Sequence, residues 1–189
     1  SHLFKDDASR KEIVSRVYCL ECREESVESV ELNQHIFHFD KNIVHLWDED
    51  EKHFLRSAIL PKKELRLMTF HMSASCSKPV LKEGIFYFGG VEFSRQQMLD
   101  NVRNNTIWLK KCIGNKNIEI AVENNNYYPT PAYRYITDSD FINQAILKNQ
   151  LMFLFDLAHA KISAHNKRLD YQDYIAGLPL DKMIQLHIS

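Results

Sequence analysis

Several short apolar segments of this chain end in a side chain that can bind a metal ion. Residues 151–155 form a continuous apolar run that leads directly into Asp156, and His159 follows three residues later. A short apolar run without alternation is typical of a strand that is buried on both faces, as in a parallel sheet. The carboxylate then lies where the strand ends, and His159 can reach the same point. Because carboxylate and imidazole groups both bind divalent metals, this stretch predicts a metal-binding position.

The same pattern occurs at three other places. Apolar-rich segments at 66–70, 118–122 and 183–186 lead to His71, Glu123 and His187. Glu123 lies 33 residues before Asp156, which lies 31 residues before His187. A (β/α)8 barrel of ~250 residues has ~31 residues in each strand–helix unit, and its working residues lie at the C-terminal ends of several strands. Spacing and placement together predict a barrel with a metal site at its mouth.

The order of predicted elements, in which strands alternate with helices, favours an α/β fold with a parallel sheet and one domain over residues 1–189. We expect a (β/α)8 TIM barrel that is incomplete in this chain. The chain has 189 residues, whereas a full barrel takes ~200 or more and has eight strands. The alternative is a smaller open α/β sheet. A β-like segment at residues 78–90, bounded by glycines, predicts an insertion over the barrel mouth.

The first part of the chain has a weaker pattern. A first helix capped by Asp7 is predicted to continue to a Cys19–Cys22 pair, where two half-buried thiols are favoured over half of a zinc site. The next strand is predicted at residues 27–32. Its end supplies His35 as a candidate ligand, although Asn33 and His38 compete for that position.

Composition excludes several classes of function. The net charge is −1, so a general binder of nucleic acid or of membrane surfaces is not expected. The sequence has no apolar run near ~18 residues, which argues against a membrane-spanning helix. It opens with a polar segment rather than a signal-peptide pattern. Four scattered cysteines favour a reducing compartment, and we therefore predict a cytoplasmic protein.

Each candidate ligand also has a simpler interpretation. A lone Glu at a strand end is usually an ion-pair partner, a lone His is usually hydrogen-bonded, and Asp156 could cap the following helix. These interpretations weaken when such residues occupy the ends of successive strands, because uncompensated carboxylates brought together there would be costly. Imidazole with carboxylate suits iron, zinc, manganese or cobalt, and the number of ligands allows two or three metal ions.

The order of these side chains, with an Asp-x-x-His motif at Asp156, resembles the xylose isomerase-like barrel superfamily. That superfamily includes sugar isomerases and epimerases and the apurinic endonuclease IV group. The resemblance implies a set of metal ligands, which are His35, His71, Glu123, Asp156, His159 and His187.

A closer resemblance is to the multinuclear non-haem iron oxidases, whose members include the oxidase of methanobactin biosynthesis. It covers roughly residues 118–189, whereas the first half is only loosely similar. The segments that carry it are Glu123–Asn124, residues 139–142, the Asp156 strand with residues 163–166, residues 174–180 and residues 185–188.

This resemblance implies two or three iron ions that activate oxygen, and an oxidoreductase that modifies cysteine in ribosomally made peptides with the help of a partner protein. Zinc or manganese are the alternative metals. Asn124, His165 and Asn166 are expected to support the ligands or the substrate. The alternative functions are a sugar or sugar-phosphate isomerase or epimerase and an endonuclease IV-like hydrolase. The near-neutral charge argues against nucleic acid as a partner. A metal-free barrel that only binds a partner is the non-enzymatic alternative.

Overall fold

The centre of the molecule is a sheet of six parallel strands in the order β1-β2-β3-β6-β7-β8. The computed structural model describes residues 6–26 and 34–188. The six strands are β1 (Glu21–Cys22), β2 (Ile36–Asn42), β3 (Leu67–His71), β6 (Glu119–Glu123), β7 (Met152–Asp156) and β8 (Met183–His187). Although β1 and β8 lie at opposite ends of this order, the Gln185 Nε2 of β8 donates to Glu21 Oε2 of β1 at 2.7 Å. The sheet is therefore curled like half of a barrel.

Six α-helices accompany the sheet in the described residues. They are α1 (Asp7–Arg16), α2 (Glu49–Ile59), α3 (Arg95–Ile113), α4 (Ser139–Asn149), α5 (Leu157–Lys167) and α6 (Tyr171–Ala176). The longest, α3, begins with a capping box between Ser94 and Gln97 and ends at Gly114, whose φ is 62°. Both signals are visible in the sequence, because a hydroxyl cap satisfies the first free amides and glycine tolerates positive φ.

The two faces of the sheet bury different layers. Alternate residues of β2 and β3, such as Phe37, Phe39, Met68 and Phe70, belong to the large core that also contains apolar side chains of α2, α3 and α4. The other alternate residues point into the concave side of the sheet. There a small apolar cluster of Leu67, Ala121 and Leu154 forms, and Ile36 and Met152 pack against it. Since a strand alternates its faces, residues two positions further along each strand continue this inner layer towards the C-terminal ends.

A two-stranded hairpin follows β3. It consists of β4 (Val80–Lys82) and β5 (Ile85–Tyr87), which pair antiparallel. The Tyr133 hydroxyl accepts a hydrogen bond from the Phe86 amide at 3.0 Å, and the Thr130 hydroxyl donates one to Phe86 O at 2.7 Å. The hairpin is thus attached to the loop that follows β6.

The prediction of part of an α/β barrel with a parallel sheet is confirmed by this architecture. The strand predicted at residues 27–32 lies outside the described residues. The prediction that the first helix continues to Cys22 is wrong, because α1 is capped by Asp6, ends at Arg16, and Cys22 lies in β1. Among the described residues, no helix is long and apolar enough to cross a membrane.

Candidate metal centre

The C-terminal ends of the strands bring histidines and carboxylates together. His71 pairs in register with Glu123, and Asp156 pairs in register with His187. Glu123 and Asp156 each lie two positions after a residue of the small apolar cluster, and His71 and His187 are their partners in register. Strand alternation therefore directs all four side chains to the same concave side. His159 lies in the first turn of α5, directly after β7.

The first group of candidate ligands is formed by β2 and β3. His38, Asp40 and His71 each offer a ligand atom, and these atoms lie within 4.8 Å of one another. The Nε2 atoms of His38 and His71 are 2.8 Å apart, and His71 Nε2 is 3.7 Å from Asp40 Oδ1. Two imidazole nitrogens at this separation can share a hydrogen or a metal ion, since zinc–nitrogen bonds are about 2.0–2.1 Å long.

The second group is formed by β6, β7 and α5. Glu123, Asp156 and His159 offer ligand atoms within 4.8 Å of one another. His159 Nδ1 is 3.6 Å from Glu123 Oε1 and 4.0 Å from Asp156 Oδ1. Asp156 Oδ1 also accepts the His159 amide at 2.8 Å, so this carboxylate does cap α5. Its other oxygen, Oδ2, lies 4.0 Å from His187 Nδ1. Capping and ligand roles are therefore compatible.

Glu123 lies between the two groups. Its Oε2 faces the first group, at 2.8 Å from His71 Nδ1 and 3.6 Å from His38 Nε2. Its Oε1 faces the other side, at 3.6 Å from His159 Nδ1 and 3.4 Å from His187 Nδ1. The side chain is only 2% exposed. One buried carboxylate thus presents one oxygen to each set of histidines.

Neighbouring groups orient these side chains. The Nδ1 of His38 lies 2.6 Å from the Thr69 hydroxyl, and the Nδ1 of His159 lies 2.8 Å from the carbonyl oxygen of Asn124. The Asn124 side chain exchanges two hydrogen bonds with the backbone of Asp156, at 2.8 and 3.0 Å. Partners of this kind fix the orientation of metal-binding histidines and carboxylates.

Burial and charge shift the pKa values in this cluster. Burial lowers the pKa of His71, but the neighbouring carboxylates of Asp40 and Glu123 outweigh this and raise it to about 9. Burial and the neighbouring His71 lower the pKa of His38 to about 4. The hydrogen bond to Glu123, together with that to Glu21, raises the pKa of His187 to about 9. Burial would raise the pKa of Glu123, yet His187 and His71 hold it well below its usual range. The carboxylate is therefore ionised, with cationic groups around it.

The chemistry of this donor set fits metal ions. Glu123 Oε2 is buried and has no hydrogen-bond partner, although His71 Nδ1 lies 2.8 Å away. A buried acceptor of this kind is costly unless another group compensates it. The ion-pair partners of Glu123 within the described part of the chain are histidines, which are themselves metal ligands. A cation between these groups would compensate the carboxylates without additional side chains.

The cluster forms the floor of an open cleft of about 600 Å³. Glu123 and Asp156 are almost fully buried, whereas His71, His159 and His187 have side chains that are 23%, 25% and 19% exposed. Arg23, Leu186 and Ile188 line the cleft as well. A ligand entering from solvent therefore meets the histidines before the carboxylates.

The structure brings five of the six predicted ligands together, which are His71, Glu123, Asp156, His159 and His187. It does not bring His35 to them. His35 precedes β2 at the opposite end of that strand, where its Nε2 lies 3.8 Å from Glu64 Oε2. His38 and Asp40 occupy the corresponding place because β2 runs past His35 as far as Asn42.

Of the three residues expected to support the ligands or the substrate, two make structural contacts near the cluster and one does not. Asn124 contacts the cluster as described above. Asn166 Nδ2 donates to Tyr127 O at 2.7 Å and so holds the loop after β6, whereas His165 is exposed on α5. Sequence reasoning missed Asp40 and Glu21. Asp40 follows His38 by two residues, a spacing that places both side chains on one face of a strand.

Comparisons with solved structures agree with this architecture. The chain resembles a D-tagatose 3-epimerase-like protein with a TM-score of 0.60 and 16% identity, over 98% of this chain and 73% of that one. It also resembles 3-keto-D-glucoside 4-epimerase YcjR from E. coli, with a TM-score of 0.59 and 12% identity, over 87% of this chain and 64% of that one. The chain thus spans about two thirds of the length of these proteins, and at such identities the likeness shows the fold alone. Fold and site together define part of a TIM barrel with a cluster of candidate metal ligands at the C-terminal ends of its strands.

A sequence model of the family described as "RiPP precursor modification enzyme MbnB/TglH/ChrH" matches residues 92–189, which is more than half of the chain. The chain belongs to this family. The matched part contains β6, β7 and β8 and therefore Glu123, Asp156, His159 and His187. His38 and His71 come from the part before it and line the same cleft, and Asp40 lies beside them.

Proposed function

We propose that this protein is an iron-dependent oxidase that modifies a cysteine of a ribosomally made precursor peptide at a dinuclear metal centre. The observation that carries the proposal is the position of Glu123, whose two carboxylate oxygens face two separate sets of histidines. In this position Glu123 would contribute one oxygen to each of two metal sites. Membership of a family of precursor-modifying enzymes supports the peptide as the substrate class.

The proposed ligands fall into two sets that share Glu123. The first metal position is formed by Glu123 Oε2 with His38, Asp40 and His71, and the second by Glu123 Oε1 with Asp156, His159 and His187. Mixed imidazole and carboxylate ligands without thiolate suit iron, manganese or zinc, and iron is proposed because of the resemblance to the iron oxidases. Bound iron would supply one-electron chemistry and open positions for a thiolate and for dioxygen.

The chain's own residues would bind and orient the substrate. The cleft is open above the histidines, so a cysteine side chain at the end of an extended peptide can enter from that side. The carboxylates of Glu123 and Asp156 are buried in the floor of the cleft. Arg23 also lines the cleft, where its guanidinium pairs with Glu21 at 2.9 Å. The resemblance to the iron oxidases further supports a partner protein that delivers the peptide.

Metal analysis of the full chain, purified without added metal or chelator, tests this function. We expect about two iron ions per chain by mass spectrometry, and an absorption spectrum that changes when protein prepared under nitrogen meets air. The Glu123→Gln variant should hold less iron, and Glu119→Gln is its matched control, because Glu119 is exposed at the opposite end of the same strand. Adding a synthetic cysteine-containing peptide should accelerate oxygen consumption.

The alternative is a sugar epimerase or isomerase, in which a metal and a carboxylate move a proton beside a carbonyl. The observation that favours it is the likeness to two epimerase folds. In that case the protein would bind manganese or zinc in stoichiometric amounts and its spectrum would not respond to air. That outcome would contradict the oxidase and leave the metal centre intact.

A further inference from the structure

Glu21 is a half-buried carboxylate at the edge of the cleft that no ligand position requires. It lies in β1, a strand of two residues, and outside the part of the chain that the family model matches. Its Oε2 lies 3.0 Å from His187 Nε2 and accepts from Gln185 Nε2 at 2.7 Å. Its Oε1 lies 2.9 Å from a guanidinium nitrogen of Arg23. Both oxygens are therefore engaged.

The imidazole of His187 has different partners on its two sides. Nε2 faces Glu21, whereas Nδ1 faces Glu123 Oε1 at 3.4 Å and Asp156 Oδ2 at 4.0 Å. We infer that Glu21 is a positioning residue, and this inference rests on the proposed metal centre. It accepts the Nε2 hydrogen of His187 and thereby presents Nδ1 to the metal ion that Asp156 and His159 bind. A histidine that binds a metal usually donates its other ring N–H to a carboxylate or carbonyl group, which fixes both the tautomer and the ring orientation.

Gln185 defines the competing arrangement. Its Nε2 lies 3.0 Å from His187 Nε2 and could donate to it, in which case the ring hydrogen would lie on Nδ1 and face Glu123. Two observations oppose this. The Gln185 amide has two hydrogens, and the shorter of its two contacts is to Glu21 Oε2, at 2.7 Å rather than 3.0 Å. A carboxylate is also a stronger acceptor for the ring N–H than any neutral group, because charge-assisted bonds are roughly twice as strong.

Direct metal binding by Glu21 is the other arrangement to distinguish. Glu21 lies on the Nε2 side of His187, whereas Glu123 and Asp156 lie on the Nδ1 side. Its two oxygens are occupied by Arg23, Gln185 and His187. The carboxylate therefore acts through the histidine. It also connects the first strand of the curled sheet to the last, so that β1 contributes to the orientation of a ligand on β8.

The test uses the full chain loaded with zinc, which is diamagnetic and suits imidazole and carboxylate ligands. The ¹⁵N shifts of the His187 ring, assigned by their loss in His187→Gln, should show a metal-bound Nδ1 and a protonated Nε2. Competition with a chelator should show that Glu21→Ala lowers the affinity for one zinc ion by about 10–100-fold. Glu21→Gln should show a smaller loss, because its amide oxygen can still accept the ring hydrogen.

Glu64→Gln is the matched control, because it removes a carboxylate beside His35, a histidine outside the cluster. It should bind zinc like the unaltered chain, and circular dichroism should show that all variants are folded. Zinc on Nε2 of His187, or unchanged affinity in Glu21→Ala, would overturn the role of Glu21 and leave the metal centre intact. An unaltered chain that binds no zinc and no iron would overturn the centre itself and this inference with it.

Discussion

At the scale of single residues, the site is defined by Glu123. A carboxylate that is 2% exposed must be compensated, because an isolated buried charge is expensive. Here histidines surround it on both sides, and one of its oxygens has no hydrogen-bond partner in the described structure. Glu119, in the same strand, is exposed at the opposite end of that strand. The two residues therefore form a natural comparison within one element.

The Glu123→Gln variant should lose the bridge between the two proposed metal positions. The amide keeps the size of the side chain, but it carries no negative charge and has a single acceptor oxygen. We expect bound metal to fall to about half or less of the unaltered value, measured by mass spectrometry after gel filtration. Glu119→Gln should retain the full amount. Equal metal content in both variants would contradict a bridging role for Glu123.

At the scale of elements, the junction between β6, β7 and α5 holds three candidate ligands in place. The Asn124 side chain forms hydrogen bonds with both the N–H and the C=O of Asp156, as a neighbouring strand would. Ser163 of α5 donates to Asn125 O and accepts the amide of Tyr127, which fixes the loop that follows β6. Bonds to β7 and α5 therefore hold this loop, which connects the candidate ligands Glu123, Asp156 and His159.

Asn124→Ala should destabilise this junction. The change removes two buried hydrogen bonds and leaves the N–H and C=O of Asp156 without their partner. Each bond contributes ~1 kcal/mol, and an unsatisfied buried group costs ~1–3 kcal/mol. We expect the free energy of unfolding to fall by ~2–4 kcal/mol, measured with urea on metal-free protein. The half-buried Asn126 supplies the control variant Asn126→Ala. A similar decrease in the free energy of unfolding in both variants would show that the two hydrogen bonds between Asn124 and Asp156 have no special role.

The sequence predicts these elements unequally, for physical reasons. The ends of β6, β7 and β8 are predictable because each apolar run stops at a single polar ligand-type residue. In β2 the polar His38 and Asp40 alternate with Phe37 and Phe39, so the inner face itself is polar and the strand lacks an apolar run. A register shift between Phe39 and Asn42 further displaces its end. For this reason His35 was expected where His38 is found.

Other parts of the site depend on tertiary contacts alone. Glu21 lies in a strand of two residues, which leaves no periodic pattern in the sequence. Its proximity to His187 arises only because the sheet curls and brings β1 near β8. Ordinary local patterns, which extend over a few residues, contain no information about a contact between residues 166 positions apart. The family match begins at residue 92 and does not include this strand.

At the scale of the whole molecule, the curled sheet separates two environments. Its convex side forms the large core with the helices, whereas its concave side contains a small apolar cluster and the layer of histidines and carboxylates. Ligands on β2, β3, β6, β7 and β8 then meet in one cleft although they come from both halves of the chain. A metal ion bound there connects strands that are distant in sequence, so that metal binding and folding are expected to be coupled.

Removal of metal should therefore lower the thermal stability of the whole chain. A metal that binds only the folded state, at about 100 times its dissociation constant, adds about 2.7 kcal/mol. For a domain of this size, each kcal/mol shifts the Tm by about 2–4 °C, so a chelator should lower the Tm by about 5–10 °C. Differential scanning calorimetry with and without chelator measures this shift. The Glu123→Gln variant should lose most of it, because its metal affinity is reduced, whereas Glu119→Gln should retain it. If the chelator left the Tm of the unaltered, metal-loaded chain unchanged, the metal would not connect the strands and the coupling argued here would be wrong.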